Sequence, residues 1–352
     1  MTGNIKKNVI KNVIKKAVIN DVAKLAGVSK TTVSRYLSGK YDMLTAETRK
    51  HIKHAIKKLD YHPNKMAQGL KGNHSNLIGM VVADITNPFA TSILRGAEDI
   101  CKKNNYSMMV CNTDNNPAKE RDYIFMLQSH RIDGLIITTT GHNNKFLYQL
   151  AADHTPVVLV DRKVPELEFD TVATDNDRGT TDAITFLINQ GYKNIGFFTE
   201  PIEDISPRYE RTNAFRDILS KQDNMDINGD VYEIDLYKDE QVELKLNMYL
   251  ESSKKANRAI FAANGVIMLK LITLLQQKGL KIPDDVAVAG FDNLDWAQAV
   301  GGGITTIAQP TYEIGSIAMQ RVLKRIEGDD SSPQKIELLP KLIIRGSTPL
   351  KK

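Results

Sequence analysis

A small all-α domain, joined through a polar linker to an α/β body of two doubly wound parallel-sheet lobes, is the fold class this sequence predicts. Three observations predict it. Over residues 19–59 apolar side chains recur at the spacing of short helices. From Leu77 onward, apolar runs of strand length alternate with amphipathic stretches of helix length, the order that gives parallel sheets covered on both faces. Those strands are too numerous for one comfortable sheet, so two similar lobes are expected. A chain of 352 residues, 41% hydrophobic and 25% charged, suits a globular protein of two or three domains.

Taken in order, residues 1–16 (MTGNIKKNVIKNVIKK) hold five lysines, no acid and a short near-repeat, and read as a flexible basic tail. The first helix, 19–26, sets Ile19, Val22, Ala23 and Ala26 on one face and stops at Gly27. Ser29 is placed to cap a second helix, 30–37, with Val33 and Leu37 turned inward. A third, 45–59, starts on Thr45, followed three residues later by Thr48, and carries the stripe Ile52, Ala55, Ile56, Leu59. These make up a domain over 17–62. Residues 63–76 form a linker with Pro63, two glycines and a helix-capable piece at 64–70.

In the body, residues 77–352, the strand candidates are 77–85, 106–112, 134–140, 156–161, 194–199, 231–236, 258–263 and 286–291. Helices such as 90–103, 118–129, 177–190, 208–219 and 265–278 lie between them. A sheet of this kind takes its ligand outside the carboxyl ends of its strands.

Charge divides the chain in the same place. Residues 1–74 hold sixteen Lys+Arg against four acids, a net +12, which leaves −7 on the remainder of a chain whose total is +5. A basic head on an acidic body is the layout of a polyanion-binding module. No run of about eighteen uncharged apolar residues occurs and the N-terminus has no secretory core, so no membrane partner and a cytoplasmic location are expected. The two cysteines, Cys101 and Cys111, have no CxxC spacing and are read as reduced core thiols, with no metal site and no cofactor. No HExxH, GxSxG, P-loop or strand-following GxGxxG is present, so no catalytic residue is nominated and an enzyme is not expected.

Two helices joined by a tight glycine turn, the second studded with small polar and basic residues, are the helix-turn-helix arrangement. Ser29, Lys30, Thr31, Thr32, Ser34 and Arg35 keep the outer face of the second helix polar. Lysine and arginine donate to guanine O6 and N7, and threonine bonds a base edge or packs on a thymine methyl. Ser29, Thr45 and Thr48, at helix starts, suit phosphate contacts.

The segment NDVAKLAGVSKTTVSRYLSG (20–39) closely resembles the N-terminal signature of the lac/gal repressor (LacI) family, and YHPNKMAQGL (61–70) looks like that family's hinge. LIGMVVADITNPF (77–89) and RGST (345–348) match as well, so the likeness covers nearly the whole chain after the tail. The resemblance implies a transcription regulator, expected to be a repressor, that binds a palindromic double-stranded operator as a homodimer. It implies that Lys30 and Thr31 choose the operator sequence and that Arg35 also reads bases. Tyr61, Asn64, Ala67 and Leu70 would belong to the hinge contacts, with Leu70 wedged between base steps in the minor groove. Val18 departs from the family, which commonly has a threonine cap there, and Asn20 and Asp21 partly compensate.

The resemblance also implies a periplasmic-binding-protein-like effector domain. Its N-lobe takes about 77–174 and 309–340 and its C-lobe about 175–308 and 341–352, with crossings near Asp175, Gln309 and Pro340. The residues themselves offer isolated polar groups at strand ends: Asp84, Thr138, Asp161, Arg162, Asn264 and Asp292, joined by Asn87 and Phe89. Arg211 matches the family's cleft arginine, Ser206 and Arg208 precede it, and Gln309 completes the set. Several arginines at one cleft point to a carboxylate or phosphate, so the expected effector is a carbohydrate of the sugar-acid kind, such as 2-keto-3-deoxygluconate. A neutral sugar, a sugar phosphate, or a cytoplasmic solute-binding role are the alternatives. Gly265 stands where the family usually has aspartate, which removes one sugar-hydroxyl contact.

Overall fold

The computed structural model describes residues 17–62, 74–202, 205–221, 227–253 and 257–350. The basic tail and the hinge positions Asn64, Ala67 and Leu70 lie outside the described residues. The chain divides into two compact units, Met1–Ser75 and Asn76–Lys352.

In the first unit, helix α1 (Ile19–Ala26) starts without a side-chain cap because Val18 has no acceptor to offer. Only the reciprocal half of a capping box forms: the Val18 N–H donates to Asp21 Oδ2 at 2.9 Å. Gly27, at φ 66°, ends the helix in the left-handed conformation that a residue with a side chain adopts at a cost. Helix α2 (Lys30–Leu37) is capped by Ser29, whose Oγ accepts from the Thr32 N–H. Helix α3 (Ala46–Lys58) is capped in the same way by Thr45. Val22, Ala23, Ala26, Val33, Ile52 and Ala55 form the buried centre.

The second unit holds two six-stranded sheets. The first contains β1 (Leu77–Val82), β2 (Ser107–Asn112), β3 (Gly134–Ile137), β4 (Val157–Val160), β5 (Asp170–Thr174) and β11 (Lys335–Leu338), in the order β11-β5-β4-β3-β1-β2 and all parallel. The second contains β6 (Asn194–Thr199), β7 (Asn228–Glu233), β8 (Arg258–Ala262), β9 (Ala287–Phe291), β10 (Thr305–Ala308) and β12 (Lys341–Ile343), in the order β12-β10-β9-β8-β6-β7. The strand orders match position for position, so the lobes are two copies of one wiring. The single exception to parallel pairing among the described strands is β12, which runs antiparallel to β10.

Helices α4 (Pro88–Lys103), α5 (Pro117–Ser129), α6 (Asn144–Ala152) and α12 (Thr311–Ile326) belong to the first lobe. Helices α7 (Asn176–Asn189), α8 (Ser206–Ser220), α9 (Asp239–Ser252), α10 (Gly265–Gln277) and the short α11 (Asp295–Ala299) belong to the second. The chain passes between lobes after β5, after β10 and between β11 and β12. Helices α4 and α12 meet through glycine: a Cβ on Gly96 would lie 2.0 Å from the Tyr312 carbonyl oxygen, and one on Gly315 1.9 Å from that of Ile93. Only hydrogen fits at either place.

Some elements depart from their sequence reading. β5, β10, β11 and β12 are not among the strand candidates: β5 begins on a buried aspartate and includes two threonines, and the other three run only four, four and three residues. β7 begins three residues earlier than the apolar pattern suggests, because parallel pairing with β6 carries the polar Asn228–Asp230 stretch into the sheet. Both cysteines are buried, Cys101 in α4 and Cys111 in β2. Among the described residues no helix is long and apolar enough to cross a membrane, and no group of three or more metal-ligating side chains gathers.

Candidate functional site

The first unit presents a polar helix face. Lys30, Thr31 and Arg35 of α2 are exposed, Thr32 and Ser34 half-buried, and Val33 buried. A helix whose buried side is anchored by Val33 therefore holds the long cations outward at fixed spacing. The hydroxyls of Ser29 and Thr45 accept the Thr32 and Thr48 amides and contact the Thr32 and Thr48 hydroxyls. What they leave open at the helix starts is the remaining first-turn amides, the groups that favour an anion. Tyr61 packs half-buried against the core of the unit, and burial raises its phenol above the ordinary range.

In the second unit the carboxyl ends of the two sheets face a cavity of about 390 Å³. Equivalent strands send equivalent residues to it. Asp84 follows β1 and Glu200 follows β6; Thr138 follows β3 and Asn264 follows β8; Asp161 follows β4 and Asp292 follows β9. The last pair matches in detail. Asp161 and Asp292 take φ of 66° and 75°, and their amides donate at 3.0 Å to Val172 and Ile307 of the neighbouring strands β5 and β10. A left-handed turn costs an aspartate about 1 kcal/mol, and this one swings each carboxylate off the strand end.

Eleven of the twelve cleft residues expected from sequence line this cavity: Asp84, Asn87, Phe89, Thr138, Asp161, Arg162, Arg208, Arg211, Asn264, Asp292 and Gln309. Ser206 does not; its Oγ accepts the Lys163 N–H across the lobes at 2.8 Å. Several polar groups already have local work. Asp84 Oδ1 accepts from the Thr86 amide and hydroxyl. Asn87 caps α4 and Asn264 caps α10, while Asn264 Nδ2 donates to Glu200 Oε2 at 2.8 Å.

The arginines are held, not loose. Arg211 donates from Nε to Asn176 Oδ1 (2.8 Å), from one terminal nitrogen to the Ala263 carbonyl (2.5 Å) and from the other to Gln309 Oε1 (3.2 Å). Its guanidinium carbon lies 3.7 Å from the Phe291 ring centre. Arg208 donates to the Pro201 carbonyl and to Glu200 Oε1. Arg162 donates to the Thr139 carbonyl at 3.1 Å and to Asn115 Oδ1 at 2.5 Å, and its buried Nε has no partner among the described residues. A guanidinium has five N–H groups, so each arginine is oriented by some and keeps others for a ligand. Gln309, at a lobe crossing, ties the set together: Oε1 accepts from Thr174 and Arg211, and Nε2 donates to Asp292.

Burial dominates the electrostatics. It pushes the Asp161 carboxyl up to about 6, with Arg162 and Arg211 pulling down and Asp292 and Glu210 pushing up. Burial also lowers Arg162 and Arg211. For Lys163 burial opposes the charge, yet Glu337 (2.5 Å) and Glu210 (2.9 Å) leave the ammonium above its ordinary range.

The sequence reading missed Thr86, Asn115, Glu200 and Tyr237 in the wall. Glu200 was open to the strand-end rule that singled out Asp84. Asn115 follows Asp114 in two successive left-handed positions, a turn signal without a chemical one. Nothing in the sequence marks Tyr237. At Gly265 the amide donates to Asp292 Oδ2 at 2.8 Å, and a Cβ would lie 2.7 Å from Leu294 Cδ1 and 3.1 Å from Asp292 Cβ. An aspartate there requires Leu294 to move, so the glycine and its packing belong together.

Residues 18–64 match the model of the bacterial regulatory proteins of the lacI family, and residues 184–348 match that of the periplasmic binding protein-like domain. The HTH-type transcriptional regulator KdgR of Bacillus subtilis is 49% identical over 331 residues, 94% of this chain and 97% of that one. The HTH-type transcriptional regulator PtxS of Pseudomonas aeruginosa is 40% identical over 95% of this chain and 96% of its own. The crystal structure of the lac repressor dimer bound to operator and the anti-inducer ONPF shares the fold, with a TM-score of 0.81 at 21% identity, covering 95% of this chain and all of that one.

Proposed function

Because the chain belongs to the lacI family of bacterial regulatory proteins and is a DNA-binding transcriptional regulator, not an enzyme, we propose that it is a repressor controlled by a sugar acid, such as 2-keto-3-deoxygluconate, bound in the cleft. The observation that carries the sugar-acid reading is Arg162. Its guanidinium lines the cavity and is fixed through its two terminal nitrogens, each of which keeps a second N–H beyond its bond to the protein. A carboxylate accepts from such N–H groups in charge-assisted bonds, beside a second fixed cation in Arg211. Asp84, Asp161 and Asp292 suit the hydroxyls of the same ligand.

On the DNA side Lys30, Thr31 and Arg35 read base edges, and Ser29, Thr32, Ser34, Thr45 and Thr48 sit where phosphates pass. Tyr61, Asn64, Ala67 and Leu70 act through the hinge in the minor groove. One such head buries too little for specific affinity, so the chain binds a palindrome as a homodimer, as the lac repressor dimer binds its operator. The effector acts by its differential affinity for two arrangements of the lobes, with the crossings near Asp175, Gln309 and Pro340 as hinges.

Titration calorimetry of the full-length protein with 2-keto-3-deoxygluconate, neutral hexoses and sugar phosphates tests the effector. The acid is expected to bind and to change the shift of a selected operator on a gel. Binding restricted to neutral sugars removes the sugar acid; no preference for any duplex over bulk competitor removes the operator reading.

A further inference from the structure

Glu120 lies on α5 between exposed charges, Lys119 on one side and Arg121 and Asp122 on the other, yet its own side chain is fully buried. A carboxylate survives burial where donors meet its oxygens. One loop, the stretch that follows β3, meets both. Oε2 accepts the Thr140 N–H at 2.5 Å, and Oε1 accepts the Thr139 hydroxyl at 3.0 Å and the Asn143 side-chain amide at 3.2 Å. Asn143 also donates to the Pro117 carbonyl at 2.7 Å, which ties the far end of the loop to the start of α5.

Glu120 does not line the cavity, but the loop it holds reaches the cavity wall. Thr138 opens that loop and faces the cavity, and the Thr139 carbonyl accepts from Arg162 Nη1 at 3.1 Å. The Thr139 carbonyl and the Thr140 N–H belong to one peptide unit, a rigid plane whose two polar groups point in opposite directions. Glu120 therefore grips one edge of the plane and Arg162 rests on the other. A carboxylate on the N–H edge also polarises the peptide and makes its carbonyl the stronger acceptor.

We propose that Glu120 is a positioning residue for the effector, acting through the Thr139–Thr140 peptide to hold Arg162 in the orientation that receives an acid. The proposal rests on the reading of Arg162 as the partner of the ligand carboxylate. An amide cannot serve in place of Glu120. With its oxygen at the Oε1 position its NH2 group faces the Thr140 N–H, and flipped it faces the Asn143 amide, so a donor meets a donor and the peptide has to turn.

Crystal structures of the effector-free full-length chain and of Glu120→Gln test the geometry, and calorimetry with 2-keto-3-deoxygluconate tests the consequence. In Glu120→Gln the bond from Arg162 to the Thr139 carbonyl is expected to be lost and the acid to bind about tenfold more weakly, the size of one hydrogen bond to a charged group. In an Arg162→Gln background the same substitution is expected to change affinity by less than about twofold, because no guanidinium is left to orient. Thr139→Val removes the hydroxyl bond to Oε1 and is expected to cost about threefold, again only where Arg162 is present, which keeps the comparison open if Glu120→Gln does not fold. The proposal is overturned if Arg162 keeps its bond to Thr139 in Glu120→Gln, or if the substitutions weaken binding equally with and without Arg162. A natural chain that does not bind the acid removes the sugar-acid reading, whereas the bond between Arg162 and Thr139 in the two structures still decides whether Glu120 sets the arginine.

Discussion

Asp161 makes the chemical class of the effector visible in protons. Its carboxyl is held up to about 6 by burial, so at pH 7 it is mostly ionised and only slightly costly to protonate. A ligand carboxylate placed against Arg162 and Arg211 competes for the same cations and raises Asp161 further. Binding of an acid at pH 7 is therefore expected to take up part of a proton, and its affinity to fall as pH rises from about 6 to 8. A neutral sugar that donates a hydroxyl to Asp161 has the opposite sign and releases a proton near pH 6. Calorimetry in buffers of different ionisation enthalpy reads that sign directly, and Asp161→Asn should abolish it. The same group links folding to pH. Its folded value lies above its unfolded one, so it favours the fold below about pH 4 and that contribution is lost as pH rises through 6. For Arg162→Gln we expect acid binding to weaken by about 10- to 100-fold, the cost of one charged partner, with operator binding retained in the absence of effector. The strand-end rule placed most of these residues in the cleft wall from sequence. It said nothing of the bonds among them, since the partners of Arg211 and Gln309 come from crossings that no local pattern encodes.

Two elements invite substitution. Helix α1 lacks an acceptor at Val18, where backbone geometry is already extended and Asp21 already supplies the return bond. Val18→Thr completes the box and should stabilise the first unit by about 0.5–2 kcal/mol, read as a higher midpoint in thermal unfolding. Gly315→Ala should do the reverse to the α4–α12 crossing, because the new methyl meets the Ile93 carbonyl. A loss of about 1–3 kcal/mol or more is expected, measured by denaturant unfolding of the full chain. Both elements show what periodicity discloses. The three helices of the first unit and the strands with fully apolar centres announce themselves, whereas β5 does not. Asp170 at its start is buried and bound by Arg321 and Arg325 from α12, so a charge that reads as surface is in the interior. Pairing of that kind depends on residues about 150 positions away and leaves no trace in a local window.

For the body as a whole, the stretch from Asp161 to Lys163 joins ligand to lobe position. Asp161 and Arg162 line the cavity, and the next residue, Lys163, bridges Glu210 on α8 and Glu337 on β11. Its amide also reaches Ser206 on α8. Loss of the cross-lobe pair in Lys163→Met or Glu210→Gln should loosen closure and weaken effector binding several-fold, with the double variant no worse than the single ones. That non-additivity is the signature of one shared contact, and strict additivity would show that the bridge contributes nothing. The return of the chain after α12 has a different consequence. Each sheet receives its outermost strand from residues beyond Ser331, β11 for one and β12 for the other. Neither half corresponds to an uninterrupted piece of gene. A stop codon just ahead of Lys335 strips both halves together, and during synthesis neither can finish assembling until the stretch from Lys335 to Ile343 has left the ribosome.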